Sequence, residues 1–246
     1  SRNYIDTASY ESSYARVDVD LTRATQIGGD AQGDQLFSIE NLIGSAFNDN
    51  FVARTINNGN TLQDGDQIDG GAGSDTLYVD FTNLGNAITP VLKNIESVVI
   101  RAQTTTADAT NGGNVNSGAF GALVQVDAQR SLAVDVADHV TADFGVTRWE
   151  SNNSRSDVVI EDVRIGNLQK TSDVTIAMVE TDPGNVDFAV YFDQQSLRNA
   201  STGTSSLTIQ IMDTGAAAAT ATEHRSTPGS RGISSTWIKP KALLQD

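Results

Sequence analysis

The sequence predicts an all-β protein, and three observations carry that prediction. Apolar and polar residues alternate over short runs, as they do when one face of a strand is buried and the other is wet. The runs recur roughly every ten residues between clusters of Gly, Asn, Asp and Ser, the residues of turns. The 3.6-residue period of an amphipathic helix is hard to find anywhere along the 246 residues, and only four prolines, at 90, 183, 228 and 240, interrupt the chain.

In chain order, VDVDL (17–21) sets Val17, Val19 and Leu21 against two aspartates, and SVVI (97–100) is a short apolar run. ALVQV (122–126) and LAVDV (132–136) alternate in the same way. DVVIEDVRI (157–165), DVTIAMV (173–179), DFAVYF (187–192) and SLTIQIM (206–212) are the strongest runs. TDPGN (181–185) between two of them is a hairpin signal, because Pro presets the first turn dihedral and Gly or Asn takes the strained one. Residues 157–193 accordingly read as antiparallel strands of a sandwich.

Composition divides the chain into residues 1–80, rich in Gly, Asn and Asp; 81–150, with longer strands and plain polar connections; 151–213, sandwich-like; and a poorly patterned tail, 214–246. Thirty-one acidic against sixteen basic residues give a formal charge of −15, which repels nucleic acid and anionic lipid and favours cations. Most of the acids are Asp, a short carboxylate suited to turns and to hard cations. The absence of Cys excludes disulfides and thiolate metal sites. No apolar run reaches the roughly 18 residues of a membrane span, and SRNYIDTASY lacks the layout of a signal peptide. The expectation is a piece of a longer polypeptide, or one exported by a route needing no N-terminal signal.

The stretch TLQDGDQIDGGAGSDTLY (61–78) carries the chemistry. Glycines at 70, 71 and 73 let the loop curl with its carbonyls facing one point, Asp75 closes it, and Leu77 points inward from a short strand. Nine residues earlier Asp66 and Ile68 repeat the plan without the leading glycines. This resembles the RTX, or haemolysin-type, repeat G-G-x-G-x-D-x-U-x of parallel β-rolls. NYIDTASY (3–10) and the GGDAQGD and GSAFND turns within 17–51 look like a longer variant, so the resemblance covers about the first 80 residues.

The resemblance implies a parallel β-roll or β-solenoid over the first part, and the pattern beyond it reads as further stacked strands running into an antiparallel β-sandwich-like C-terminal part. The resemblance also implies calcium, whose six to eight oxygen ligands loop carbonyls and stacked aspartates can supply, with folding that depends on the metal. One rung takes two nonapeptides, so loops eighteen residues apart should stack. Asp75 then meets Asn57, whereas Asp66 meets Asp49 one residue out of register, and Asp34 is again off register. The expected metal residues are Asp49, Asp64, Asp66, Gly70, Gly71, Gly73 and Asp75, with Asp34 a further candidate. The same turns would also serve a β-solenoid that binds no metal.

No catalytic signature stands out. His139 with Asp138 and Asp143 lacks a nucleophile elbow, His224 lies in the tail, and no paired-His metal motif exists. Glu161, Asp162, Glu180, Asp182, Asp187 and Asp193 read as a solvated face rather than a glycosidase pair. Asp182 and Asp187 bracket a turn that offers a second calcium candidate, and Trp149, Tyr191 and Phe192 offer either sugar stacking or strand packing. LKNIESVVIRAQ (92–103) resembles large bacterial surface-layer and adhesin-like β proteins.

The expected function is therefore a non-enzymatic, calcium-binding structural module of a secreted or cell-surface bacterial protein of the adhesin or surface-layer type. Its partners would be calcium ions, with glycan or other copies of the same protein as further candidates, and neither nucleic acid nor membrane insertion. The alternatives are an accessory module of a secreted enzyme, a carbohydrate-binding sandwich, or a viral fibre segment.

Overall fold

The computed structural model describes residues 5–56, 59–81, 88–103, 124–127, 146–163, 174–181, 188–192, 207–212, 219–225 and 233–240. Among them are sixteen strands, a single 3-10 turn at Gly29–Ala31 and no α-helix, as the alternation requires. No helix among the described residues is long and apolar enough to cross a membrane.

The first eight strands are dealt alternately to two parallel sheets. β1 (Thr7–Ser9), β3 (Asn41–Ile43), β5 (Gln67–Asp69) and β7 (Val91–Lys93) form a four-stranded sheet. β2 (Asp18–Asp20), β4 (Asn50–Ala53), β6 (Thr76–Phe81) and β8 (Ser97–Ala102) begin a second sheet, which continues through β10 (Arg148–Asn152), β12 (Val174–Val179) and β14 (Leu207–Met212). This seven-stranded sheet runs without a break across the compositional boundaries at 80 and 150. A third sheet holds β9 (Val124–Asp127), β11 (Val158–Val163) and β13 (Phe188–Phe192), with β16 (Ile233–Pro240) and β15 (Ala219–Arg225) added at one side.

Parallel pairing in register places like beside like. Val19, Phe51, Leu77, Val98, Trp149 and Ile176 are successive register partners across six strands of the large sheet, and all are buried. Ala53, Val79, Ile100, Ser151 and Met178 form a second buried row two residues along. In the four-stranded sheet Leu42, Ile68 and Leu92 do the same. The period of two puts every second side chain inside, so each row removes a strip of apolar surface from water, the dominant favourable term in folding.

The antiparallel expectation for 157–193 fails. β12 pairs in parallel with β10 and β14 in one sheet, while β11 and β13 pair in parallel with each other in another. The hairpin expected around TDPGN does not form, because the strands on either side belong to different sheets; residues 182–187 lie outside the described residues. Antiparallel pairing occurs at β13 with β16 and at β15 with β16. The tail expected to lack pattern therefore contributes two strands, whose runs ATATEHR and ISSTWIKP are too rich in small and hydroxylic residues to show an apolar alternation. LAVDV (132–136), His139, Asp138, Asp143 and Asp193 lie outside the described residues.

Candidate functional site: stacked carboxylates at the strand entries

A carboxylate stands at the residue before many of the strands: Asp6, Glu40 and Asp66 before β1, β3 and β5, and Asp49, Asp75 and Glu96 before β4, β6 and β8. Register pairing turns these positions into two columns. At such a corner the backbone N–H of the residue preceding the strand needs a partner, and a buried unpaired N–H is costly. The side chain one circuit along supplies it. The Val17 N–H donates to Asp49 Oδ1 (2.7 Å), the Asp49 N–H to Asp75 Oδ1 (2.7 Å), and the Asp75 N–H to Glu96 Oε2 (2.6 Å). In the other column the Asp6 N–H donates to Glu40 Oε2 (2.9 Å).

The spacing within each column is set by a circuit that visits two sheets. Asp75 stacks on Asp49, 26 residues away; Asn57, the partner expected from the sequence, lies outside the described residues. Asp66 stacks on Glu40, since Gln67 and Asn41 are register partners, and not on Asp49, which belongs to the other column. The eighteen-residue rung is corrected accordingly. The repeat is visible in the sequence once that period is known: GSAFND (44–49) and GGAGSD (70–75) occupy the same corner.

The two equivalent aspartates differ in how completely they are satisfied. Asp49 is buried, and besides the Val17 N–H it accepts the Ser45 N–H at Oδ2 (2.5 Å) and the Ser45 hydroxyl at Oδ1 (2.8 Å). Position 71 has Gly where position 45 has Ser, so Asp75 has no such clamp. Its Oδ2 is buried without a hydrogen-bond partner, as is Asn94 Oδ1. Burial raises the Asp75 carboxyl, the Asp49 N–H opposes this, and the Glu96, Asp49 and Asp69 carboxylates add to the rise, bringing it to about 7. Asn94 donates through Nδ2 to Asp69 Oδ1 (2.7 Å), which fixes the orientation of its amide.

The glycines of this corner are required for two reasons. Gly71 and Gly73 have φ of 89° and 133°, which L side chains rarely adopt. At Gly70 the need is close approach: a Cβ there would lie 2.1 Å from the Asn94 carbonyl oxygen and 2.5 Å from Asp75 Oδ2. Gly44, one circuit earlier, is hemmed in likewise by the Gly70 carbonyl and Asp49 Oδ2.

The remaining expected residues are dispersed. Asp66 is half-buried, accepts the Gln63 N–H (2.8 Å) and is pushed up to about 6, first by burial and then by Glu40 and Asp64, against the pull of that N–H. Asp64 is exposed and accepts the Thr89 N–H (3.1 Å). Asp34, also exposed, accepts the Tyr10 hydroxyl (3.2 Å); burial and then the Asp34 charge push that phenol up to about 12. Among the described residues no group of three or more His, Asp and Glu side chains is gathered to hold a metal. A calcium ion at the Asp75 corner would draw on backbone and amide oxygens as well as the carboxylate, as this hard cation commonly does. Asp75 Oδ2 and Asn94 Oδ1 are oxygens of the kind that donor set uses, each buried without a partner, whereas Asp49 already accepts from Val17 and Ser45.

Of the aromatic candidates, Trp149 is 1% exposed and packs in the core, and Tyr191 is half-buried. The exposed aromatic on the large sheet is instead Tyr78, between its register partners Val52 and Val99. No family model matches the chain, and comparison with curated proteins and with solved structures finds no match.

Proposed function

We propose that this chain is a non-enzymatic structural module, a calcium-stabilised β-solenoid from a secreted or cell-surface bacterial protein of the adhesin or surface-layer kind. The alternation of strands between two parallel sheets supports the solenoid, with β15 and β16 as an antiparallel extension at its third face. The observation that carries the calcium reading is the Asp75 corner. A carboxylate oxygen buried without a donor, in the field of the Glu96, Asp49 and Asp69 carboxylates, lacks the counter-charge that buried ions require. Asp75 and Asn94 would hold the ion, which supplies positive charge between two circuits, while Asp49 and Glu96 continue the column as acceptors of backbone N–H groups. The carboxylates of both columns serve the backbone in this way, which supports a structural role over acid–base catalysis.

The test is thermal unfolding and isothermal titration calorimetry with calcium and with chelator, on the wild type and on Asp75→Asn. Calcium at a hundred times its Kd should add about 2.7 kcal/mol of stability, and the substitution should remove most of that gain. Identical melting in calcium and chelator would sink the reading.

A second reading rests on Tyr78. With 43% of its surface exposed, it lies in a shallow depression with Arg54, Asp80, Arg101 and Asn152, an aromatic face ringed by planar hydrogen-bonding groups that suits a sugar ring. A glycan array comparing wild type with Tyr78→Ala tests it, and binding unaffected by the substitution would remove this face.

A further inference from the structure

A parallel sheet that grows by adding strands has a problem at its first one. β2 pairs with β4 along one side, and the groups on its other side, the N–H and C=O of Asp18 and Asp20, would template any passing strand. All four are already occupied. The Asp18 N–H donates to the Ile27 carbonyl (2.8 Å) and the Ile27 N–H to the Asp18 carbonyl (3.2 Å), an isolated antiparallel bridge. Where that bridge ends, a side chain takes over: the Asp20 N–H donates to Gln26 Oε1 (2.8 Å) and Gln26 Nε2 donates to the Asp20 carbonyl (3.2 Å). The carboxamide imitates a peptide group, one acceptor and one donor side by side, and it is 1% exposed.

The segment that delivers Gln26 is fastened from several sides. The Gln26 N–H donates to the Asp34 carbonyl and the Gly33 N–H to the Gln26 carbonyl. The Asp30 N–H donates to Ser13 Oγ (3.0 Å), and Gly29 lies so close to the 13–15 turn that a Cβ would meet Ser13 Oγ at 2.1 Å. Arg23 pairs with Asp18. Ala31 is buried in the same core cluster as Val17 and Val19, which are fully buried although Val19 lies in the outermost strand of the sheet and Val17 just before it.

We infer that residues 22–34 are an edge cap whose task is to keep the β2 edge from pairing with the strand edge of a second copy of this chain. The cap closes one direction of growth. Self-association in a surface array would then use another face.

The experiment compares wild type, Gln26→Ala and Gln26→Glu by light scattering coupled to size exclusion over a concentration series, with amide hydrogen exchange on the same samples. The alanine variant exposes the Asp20 N–H and C=O and should shift from one chain mass to several as concentration rises. The glutamate variant loses the donor to the Asp20 carbonyl but sets a charge on the edge, which discourages pairing, and should stay at one chain mass. Equal association of both variants would indicate general instability and overturn the cap, as would a monomeric alanine variant whose Asp20 amide stays protected. Should the alanine variant fail to fold, wild-type exchange decides: the Asp18 and Asp20 amides must exchange more slowly than those of the 22–25 turn, and equal rates overturn the inference.

Discussion

The backbone N–H of Asp49 donates to the carboxylate of Asp75 across 2.7 Å, joining two corners that lie 26 residues apart. The bond makes each corner depend on the next, because Asp49 itself accepts the N–H of Val17 and Asp75 donates its own N–H to Glu96. Four corners of the large sheet are thus linked by charge-assisted hydrogen bonds, each stronger than a neutral pair.

Removing the best-satisfied member should be the most damaging. Asp49→Ala leaves the Val17 and Ser45 N–H groups buried without acceptors and should cost about 3 kcal/mol in urea unfolding. Asp49→Asn keeps one acceptor oxygen and should cost less. Equal stability of the alanine variant and the wild type would show that water substitutes for the carboxylate at this corner.

In chelator, stability should fall as pH rises from about 4 to about 7. The folded Asp75 holds its proton up to about 7 and Asp66 up to about 6, whereas an unfolded aspartate releases it near 3.9. Between those values the folded state binds more protons, so the slope of unfolding free energy with pH is negative. Repulsion within a chain of charge −15 acts in the same direction. The diagnostic is therefore the difference between proteins: Asp75→Asn should flatten the slope between pH 5 and 7, and an unchanged slope would assign the whole effect to bulk charge.

The fold was legible in the sequence wherever alternation was strong. VDVDL, DVVIEDVRI, DVTIAMV, DFAVYF and SLTIQIM all contain the strands the structure shows, and SVVI opens one that runs on to Ala102. Their partners were not legible, because an apolar alternation fixes which face is buried but says nothing about which neighbour shares the sheet. TDPGN was misread for this reason: a good turn sequence between two strands does not make them a pair. At the site, the motif predicted the glycine-rich turn that closes on Asp75, yet the stacking of Glu40 and Glu96 was missed. Their role depends on being stacked, and the 26-residue match of GSAFND with GGAGSD was the available signal for that period.

Glycines at the corner should separate by mechanism. Gly70→Ala drives a methyl into the Asn94 carbonyl and the Asp75 carboxylate, two groups tied into the column, and should cost about 3 kcal/mol. Gly65 has a φ of 86° with nothing near its absent Cβ, so Gly65→Ala should cost only about 1 kcal/mol, the penalty of a left-handed residue. Thermal melts of both variants check the order. A Gly70→Ala protein as stable as Gly65→Ala would mean that the corner opens readily and that the approach of Asn94 to Gly70 is not a constraint.

Calcium and the proton should compete for the same oxygen of Asp75. Below about 7 that carboxyl is protonated in the folded chain, so a cation must displace the proton to bind. Apparent calcium affinity should then drop by about tenfold for each unit of pH below 7. Titration calorimetry at pH 6 in two buffers of different ionisation enthalpy reads the displaced proton directly: the measured heat should differ between the buffers, and the difference should vanish at pH 8. Asp66→Asn should leave this release intact, since Asp66 stands in the other column, whereas Asp75→Asn should abolish it together with binding. Heat that is independent of buffer at pH 6, with calcium still bound, would place the ion away from Asp75.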